Sequence, residues 1–216
     1  MNFKAVVFDL DGTLLDTIED LADSMNNVLR RFGYPIHDVE KYKYFVGDGI
    51  KNLVIRALPE ESRNNDTIDA CLSDMNEEYS RRWAEKTRPY DGITKLLDGL
   101  AERNIRTAIL SNKPHAATLE VVKRLLPNQH FDVVYGERPP IPKKPDPAAC
   151  LEIIKAMGFK AEEFLYLGDT NIDMKTANSA GMYAVGVLWG FRKADELLEG
   201  GAKKLISHPL ELLELL

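Results

Sequence analysis

The chain has 216 residues, 44% of them hydrophobic and 29% charged, with a formal net charge of −6. It is long enough for one large domain, or a domain carrying an insertion, to bury roughly 70% of its unfolded surface. The acidic balance, with no basic block and no interleaving of basic and aromatic residues, argues against nucleic acid or an anionic membrane as a main partner.

The first apolar run, Ala5-Val6-Val7-Phe8, is too short for a signal peptide, and nothing later approaches the roughly 18 apolar residues of a membrane span. Such a run reads as a strand buried on both faces, as in a parallel sheet. It leads directly into Asp9-Leu10-Asp11-Gly12-Thr13. A buried carboxylate is costly unless something compensates it. Asp9 therefore belongs either to a strand-ending turn or to a cation and phosphate site at a strand's carboxyl end, where open α/β sheets take ligands.

Residues 17–32 read as an amphipathic helix, with Ile18, Leu21, Met25, Val28, Leu29 and Phe32 at helical spacing, Gly33 as the stop and Asp16 or Thr17 as the cap. A glycine-punctuated loop over 42–49, ending in Gly47-Asp48-Gly49, leads into a short helix over 50–58, and 67–86 is helical again. No strand is evident between Asp16 and Arg88. Residues 16–89 are thus expected to form a helical domain inserted into a core made of 1–15 and 90–216.

After the turn Pro89-Tyr90-Asp91-Gly92 the pattern becomes strand–helix alternation. Helices are expected at 93–102, 114–126, 148–157, 171–180 and 210–216, and strands at 105–110, 131–135, 164–167, 183–188 and 204–206. Between the second of these strands and the helix at 148 lies a loop, 136–147, stiffened by five prolines. The alternation predicts an α/β fold, a doubly wound parallel sheet with helices on both faces. Cys71 and Cys150 show no C-x-x-C spacing, which fits a reducing cytoplasm better than a disulfide framework.

Polar residues follow three of the expected strands: Asp9 and Asp11, Ser111, and Asp169. Lys144 lies in the proline-stiffened loop after a fourth. In a doubly wound sheet these ends share one edge. Asp169 and Asp173, four apart around a helix start, project from one face toward that edge. Carboxylates crowded in this way raise one another's pKa unless a cation intervenes, and oxygen-only ligands at strand ends suit Mg2+.

The segments Asp9-Leu10-Asp11-Gly12-Thr13, Leu110-Ser111-Asn112-Lys113, Lys144-Pro145-Asp146-Pro147 and Gly168-Asp169-Thr170-Asn171-Ile172-Asp173 occur in that order, each at an expected strand end or in the stiffened loop. The sequence resembles the haloacid dehalogenase-like hydrolase superfamily, and within it the phosphoglycolate phosphatase-like members, over nearly its whole length. The resemblance implies a Rossmann-like core with a helical cap domain, and a magnesium-dependent phosphatase acting through an aspartyl-phosphate. It implies Asp9 as nucleophile, Asp11 as general acid and base, Ser111 as a phosphoryl ligand and Lys144 as the neutralising cation. Asp9, the main-chain carbonyl of Asp11 and Asp169 would hold the metal, with Asp173 an outer or water-mediated partner. Gly12, Thr13, Asn112 and Lys113 are candidate substrate contacts, as are Gly47, Asp48 and Gly49 from the cap.

An alkoxide leaves poorly without a proton whereas a halide needs none, so Asp11 argues against dehalogenation. A sugar-phosphate mutase of the β-phosphoglucomutase type and an inorganic pyrophosphatase share the motifs and stay as alternatives. A non-catalytic phosphate-binding protein would be expected to have lost Asp9, Asp11, Lys144 or Asp169. The expected partner is a small phosphate ester, and the expected state a monomer or weak homodimer in the cytoplasm.

Overall fold

The computed structural model describes residues 2–216. The chain divides into two compact units, one made of residues up to Leu15 with Pro89–Leu216, the other of Asp16–Arg88.

Strand β1 (Ala5–Phe8) is wholly buried, and a two-residue strand β2 (Leu15–Asp16) follows it. The second unit is then helical: α1 (Ile18–Arg31), α2 (Val39–Phe45), α3 (Ile50–Ala57) and α4 (Asn65–Arg82). Its core is apolar, with Met25, Val28, Leu29, Leu53, Val54, Cys71 and Met75 buried. One polar hub sits inside it. Asn26 accepts the Tyr42 hydroxyl at 2.7 Å and the His37 amide at 3.0 Å, and its own amide donates to the His37 carbonyl at 2.8 Å. All of these are satisfied, as buried polar groups need to be.

The chain returns through β3 (Arg88–Pro89), which pairs with β2. Strands of two residues carry no readable period, which is why the sequence pattern shows none here. The first unit then continues with α5 (Ile93–Glu102), β4 (Arg106–Pro114), α6 (His115–Leu125), β5 (Val133–Glu137), α7 (Ala148–Met157), β6 (Phe164–Gly168), α8 (Asn171–Ser179), β7 (Tyr183–Val187), α9 (Ala194–Glu199) and β8 (Lys204–Ile206). The sheet order is β5-β4-β1-β6-β7-β8, with all neighbouring strands parallel. Val7, Ala108, Leu110, Tyr166 and Ala184 from the sheet pack with Cys150, Ile153 and Met174 from the helices.

Four details differ from the sequence pattern. Residues 42–45, expected in a loop, close the helix α2. β4 does not stop at Leu110: after an irregularity in register it pairs again with β5 at Pro114 and Glu137, carrying Ser111, Asn112 and Lys113 inside the strand. Hydrogen bonding extends it beyond the apolar run that announces it. The C-terminal segment Pro209–Leu215 winds as a 3-10 helix, not an α-helix. Thr17 occupies the cap position of α1 without a side-chain cap bond, and its buried hydroxyl finds no hydrogen-bond partner among the described residues.

Candidate active site

β1 is the central strand, flanked by β4 and β6, and the register brings their polar ends together. Phe8 lies level with Ile109 on one side and Leu167 on the other. Asp9 follows directly, its amide still donating to the Leu167 carbonyl at 2.9 Å. Ser111 and Asp169 come one residue further along the neighbouring strands. This is the carboxyl edge of a parallel sheet, where such folds take ligands.

The charges at this edge form a connected set. Lys144 Nζ lies 2.8 Å from Asp9 Oδ1 and 2.7 Å from Asp173 Oδ1. Asp9 Oδ1 also accepts the Leu10 amide at 2.7 Å, which fixes the rotation of the carboxylate. Asp173 caps α8: its Oδ2 accepts the Thr170 hydroxyl at 2.6 Å and the Thr170 amide at 3.1 Å. The Tyr166 hydroxyl donates to its other oxygen at 3.4 Å. Asn112 grips the backbone of Lys144 from both sides, donating to the carbonyl at 3.1 Å and accepting the amide at 2.9 Å. The lysine is thus placed by two elements at once, its side chain held by α8 and its backbone by β4.

Asp169 is fully buried. It accepts the Thr13 hydroxyl at 3.1 Å and the Phe191 amide at 2.8 Å. Gly12, at φ +90°, and Gly190 press against it so closely that a Cβ at either position would overlap the Asp169 side chain. Burial first, and then the neighbouring Asp173, push the Asp169 carboxyl up to about 7. Burial and then Asp173 also hold Asp9 well above the usual carboxylate range, against the pull of Lys144. Lys144 itself is raised because Asp173 and Asp9 outweigh its own burial.

Asp9, Asp169 and Asp173 each offer an oxygen, all within 4.8 Å of one another. Asp173 already has Lys144 and the cap of α8. The three carboxylates share one ammonium in direct contact among the described residues, and an all-oxygen donor set of this kind fits a hard divalent cation. On the β4 side of β1, Lys113 Nζ lies 3.1 Å from both oxygens of Asp11.

Comparison with known proteins agrees with this geometry. Residues 6–187 match the family described as haloacid dehalogenase-like hydrolase. The chain belongs to that family. Among named relatives, a phosphoglycolate phosphatase of Chromobacterium violaceum is 31% identical over 220 residues, covering 100% of this chain and 97% of its own. Another, from Mesorhizobium japonicum, is 33% identical over 210 residues, covering 96% and 92%. A crystal structure from Lactobacillus delbrueckii subsp. bulgaricus, provisionally described as a phosphoglycolate phosphatase, superposes with a TM-score of 0.93 at 30% identity, covering 100% of this chain and 98% of that one.

Within this haloacid dehalogenase-like hydrolase, Asp9, Lys144, Asp169 and Asp173 come together with Asn112 and Thr13 around them. Ser111 is buried on the adjoining strand, and its hydroxyl accepts the Lys113 amide at 3.2 Å. Three side chains of the core singled out as substrate contacts are engaged inside the protein: Thr13 on Asp169, Asn112 on Lys144 and Lys113 on Asp11. Gly47, Asp48 and Gly49 lie in the helical unit between α2 and α3, where both Asp48 oxygens take Arg56 at 2.7 and 2.6 Å. Three contributors have no motif: the Phe191 amide, Gly190 and Tyr166. The Gly190 loop follows β7, but the donor it gives Asp169 is the Phe191 backbone amide, so counting polar strand ends passes over it.

Proposed function

We propose that the chain is a magnesium-dependent phosphomonoesterase that hydrolyses a small phosphorylated metabolite through an aspartyl-phosphate on Asp9, with 2-phosphoglycolate the first substrate to test. The observation that carries this is the single ammonium of Lys144, fixed 2.8 Å from Asp9 and 2.7 Å from Asp173 in a buried edge. A carboxylate aligned by a backbone amide and a lysine is arranged as a nucleophile toward a group whose negative charge the lysine can share. The names of the relatives support the phosphoglycolate assignment.

In the first step a carboxylate oxygen of Asp9 bonds to phosphorus, the ester P–O bond breaks, and the electron pair leaves with the alcohol oxygen. Asp11 gives that oxygen its proton. In the second step Asp11 takes a proton from water as the water oxygen bonds to phosphorus. The acyl-phosphate bond breaks, inorganic phosphate leaves, and Asp9 returns as a carboxylate. Lys144 spreads the phosphoryl charge in both steps, and the Ser111 hydroxyl donates to a phosphoryl oxygen. Asp9 and Asp169, with the main-chain carbonyl of Asp11, would hold magnesium, which supplies further neutralisation of the phosphoryl oxygens.

Phosphate release from p-nitrophenyl phosphate tests the reading. Activity is expected with magnesium and is lost in EDTA. Asp9→Asn, which keeps the shape and removes the negative nucleophile, is expected to lose at least about a thousandfold. Turnover that survives Asp9→Asn would overturn the covalent mechanism.

A further inference from the structure

Two buried lysines serve the carboxyl edge of the sheet, and they stand on different groups. Lys144 is committed to Asp9 and Asp173. Lys113 is on Asp11, with its side chain only 6% exposed. Its position is firmly built. The Lys113 amide donates to Ser111 Oγ at 3.2 Å, and its carbonyl accepts the Thr118 hydroxyl at 3.2 Å. Gly136 packs so tightly that a Cβ there would stand 2.5 Å from the Lys113 carbonyl oxygen. Burying a long ammonium side chain costs both hydration and rotamer freedom, and a pair formed at the surface would have avoided that cost. The chain instead fixes a cation beside Asp11.

If Asp11 protonates the ester oxygen, that oxygen sits within hydrogen-bond reach of its carboxyl. The Lys113 ammonium, 3.1 Å from the same carboxyl, then stands next to the leaving alcohol and not only next to phosphorus. An ammonium carries three donors and can serve two anions at once. A negative group on the carbon bearing the ester oxygen would fall within its reach; a neutral substituent would leave it with nothing new to bind. We propose that Lys113 is a specificity-determining residue that binds a carboxylate on the leaving alcohol. The protein thereby selects phosphate monoesters of 2-hydroxy acids over those of neutral alcohols. This inference rests on the Asp9 and Asp11 roles given under Proposed function.

The test is the ratio of kcat/KM for 2-phosphoglycolate to that for ethyl phosphate, measured for the wild type, Lys113→Met and Lys113→Gln. A ratio cancels any damage the substitutions do to both substrates alike. The wild-type ratio is expected to exceed about 100, as for a site built to pair a buried charge. Both variants are expected to lower it at least about thirtyfold, chiefly through KM for 2-phosphoglycolate, with Lys113→Arg restoring part of the loss. A wild-type ratio near one overturns the proposal. So does a ratio that the variants leave unchanged, including when both substrates fall together, because the lysine then serves Asp11 or the phosphoryl group. Ethyl phosphate hydrolysis that requires Asp9 upholds the phosphatase reading whatever the ratio; no phosphate release from either substrate removes both.

Discussion

Lys144 shows how much of the site depends on one side chain. It is 2% exposed and carries the only ammonium within salt-bridge distance of Asp9 or Asp173 among the described residues. Lys144→Met keeps most of the volume and deletes the charge. Two buried carboxylates then face each other without the ammonium between them, and breaking a buried pair from one side typically costs about 3–5 kcal/mol. Part of that cost is escaped by protonating Asp9, and a protonated Asp9 cannot attack phosphorus. We therefore expect kcat to fall by about three orders of magnitude or more, by analogy with other cations that neutralise a transferring phosphoryl group. Single-turnover phosphate release checks this, and a variant that keeps wild-type turnover would remove Lys144 from the mechanism. Asn112→Ala addresses the same lysine from its backbone and is expected to give a milder loss of the same kind.

Between elements, the most telling contact in the helical unit is the one α1 makes with the returning chain. Asp20 is buried and accepts the amides of Lys86 and Thr87 and the Thr87 hydroxyl, the last two at 2.8 and 2.7 Å. It pins the exit of the unit to its first helix. Asp20→Ala strands these donors, and urea unfolding is expected to report a loss of about 2–4 kcal/mol; a loss below about 0.5 kcal/mol would mean that water replaces the carboxylate freely. Asp20 also marks where a sequence stops being legible. Its position near the start of α1 suggests an acidic first turn, and only the structure reveals a staple to residues more than sixty positions away. Strands β1, β4, β6 and β7 are readable because each contains an apolar run that ends abruptly, and Asp9 and Asp169 are readable because a charge at such an end has no cheap structural excuse; β2 and β3 are too short to show a pattern. What could not be read were pairings that join one strand end to another: Thr13 on Asp169, Asn112 on Lys144, Lys113 on Asp11. The Phe191 amide is beyond reach altogether, since any residue supplies one.

Taken together, the buried acids make folding and cation binding a single equilibrium. In the metal-free protein Asp169 titrates at about 7, against an ordinary value of 3.8, because burial and Asp173 oppose its charge. Asp9 is shifted in the same direction by the same two causes. Between about pH 4 and pH 7 the folded chain therefore holds protons that the unfolded chain has released. Stability falls with rising pH wherever the native state binds more protons, so Asp169 weakens the metal-free protein as pH climbs through that window, its full penalty present above 7, and Asp9 acts with the same sign. A divalent cation reverses the sign. At the proposed site it would take the place of those protons, bind the ionised carboxylates only in the folded state, and stabilise by mass action. Thermal melts with and without saturating magnesium should separate the two regimes. At pH 8 magnesium is expected to raise Tm by at least about 5 °C, and at pH 5, where protons already occupy the carboxylates, by about 1 °C or less. An equal rise at both values would place the bound cation away from Asp9 and Asp169. Asp169→Asn supplies the control that makes the assignment specific. It removes a buried charge and keeps the shape, so the metal-free variant is expected to be more stable than the wild type at pH 8 and to lose most of its response to magnesium.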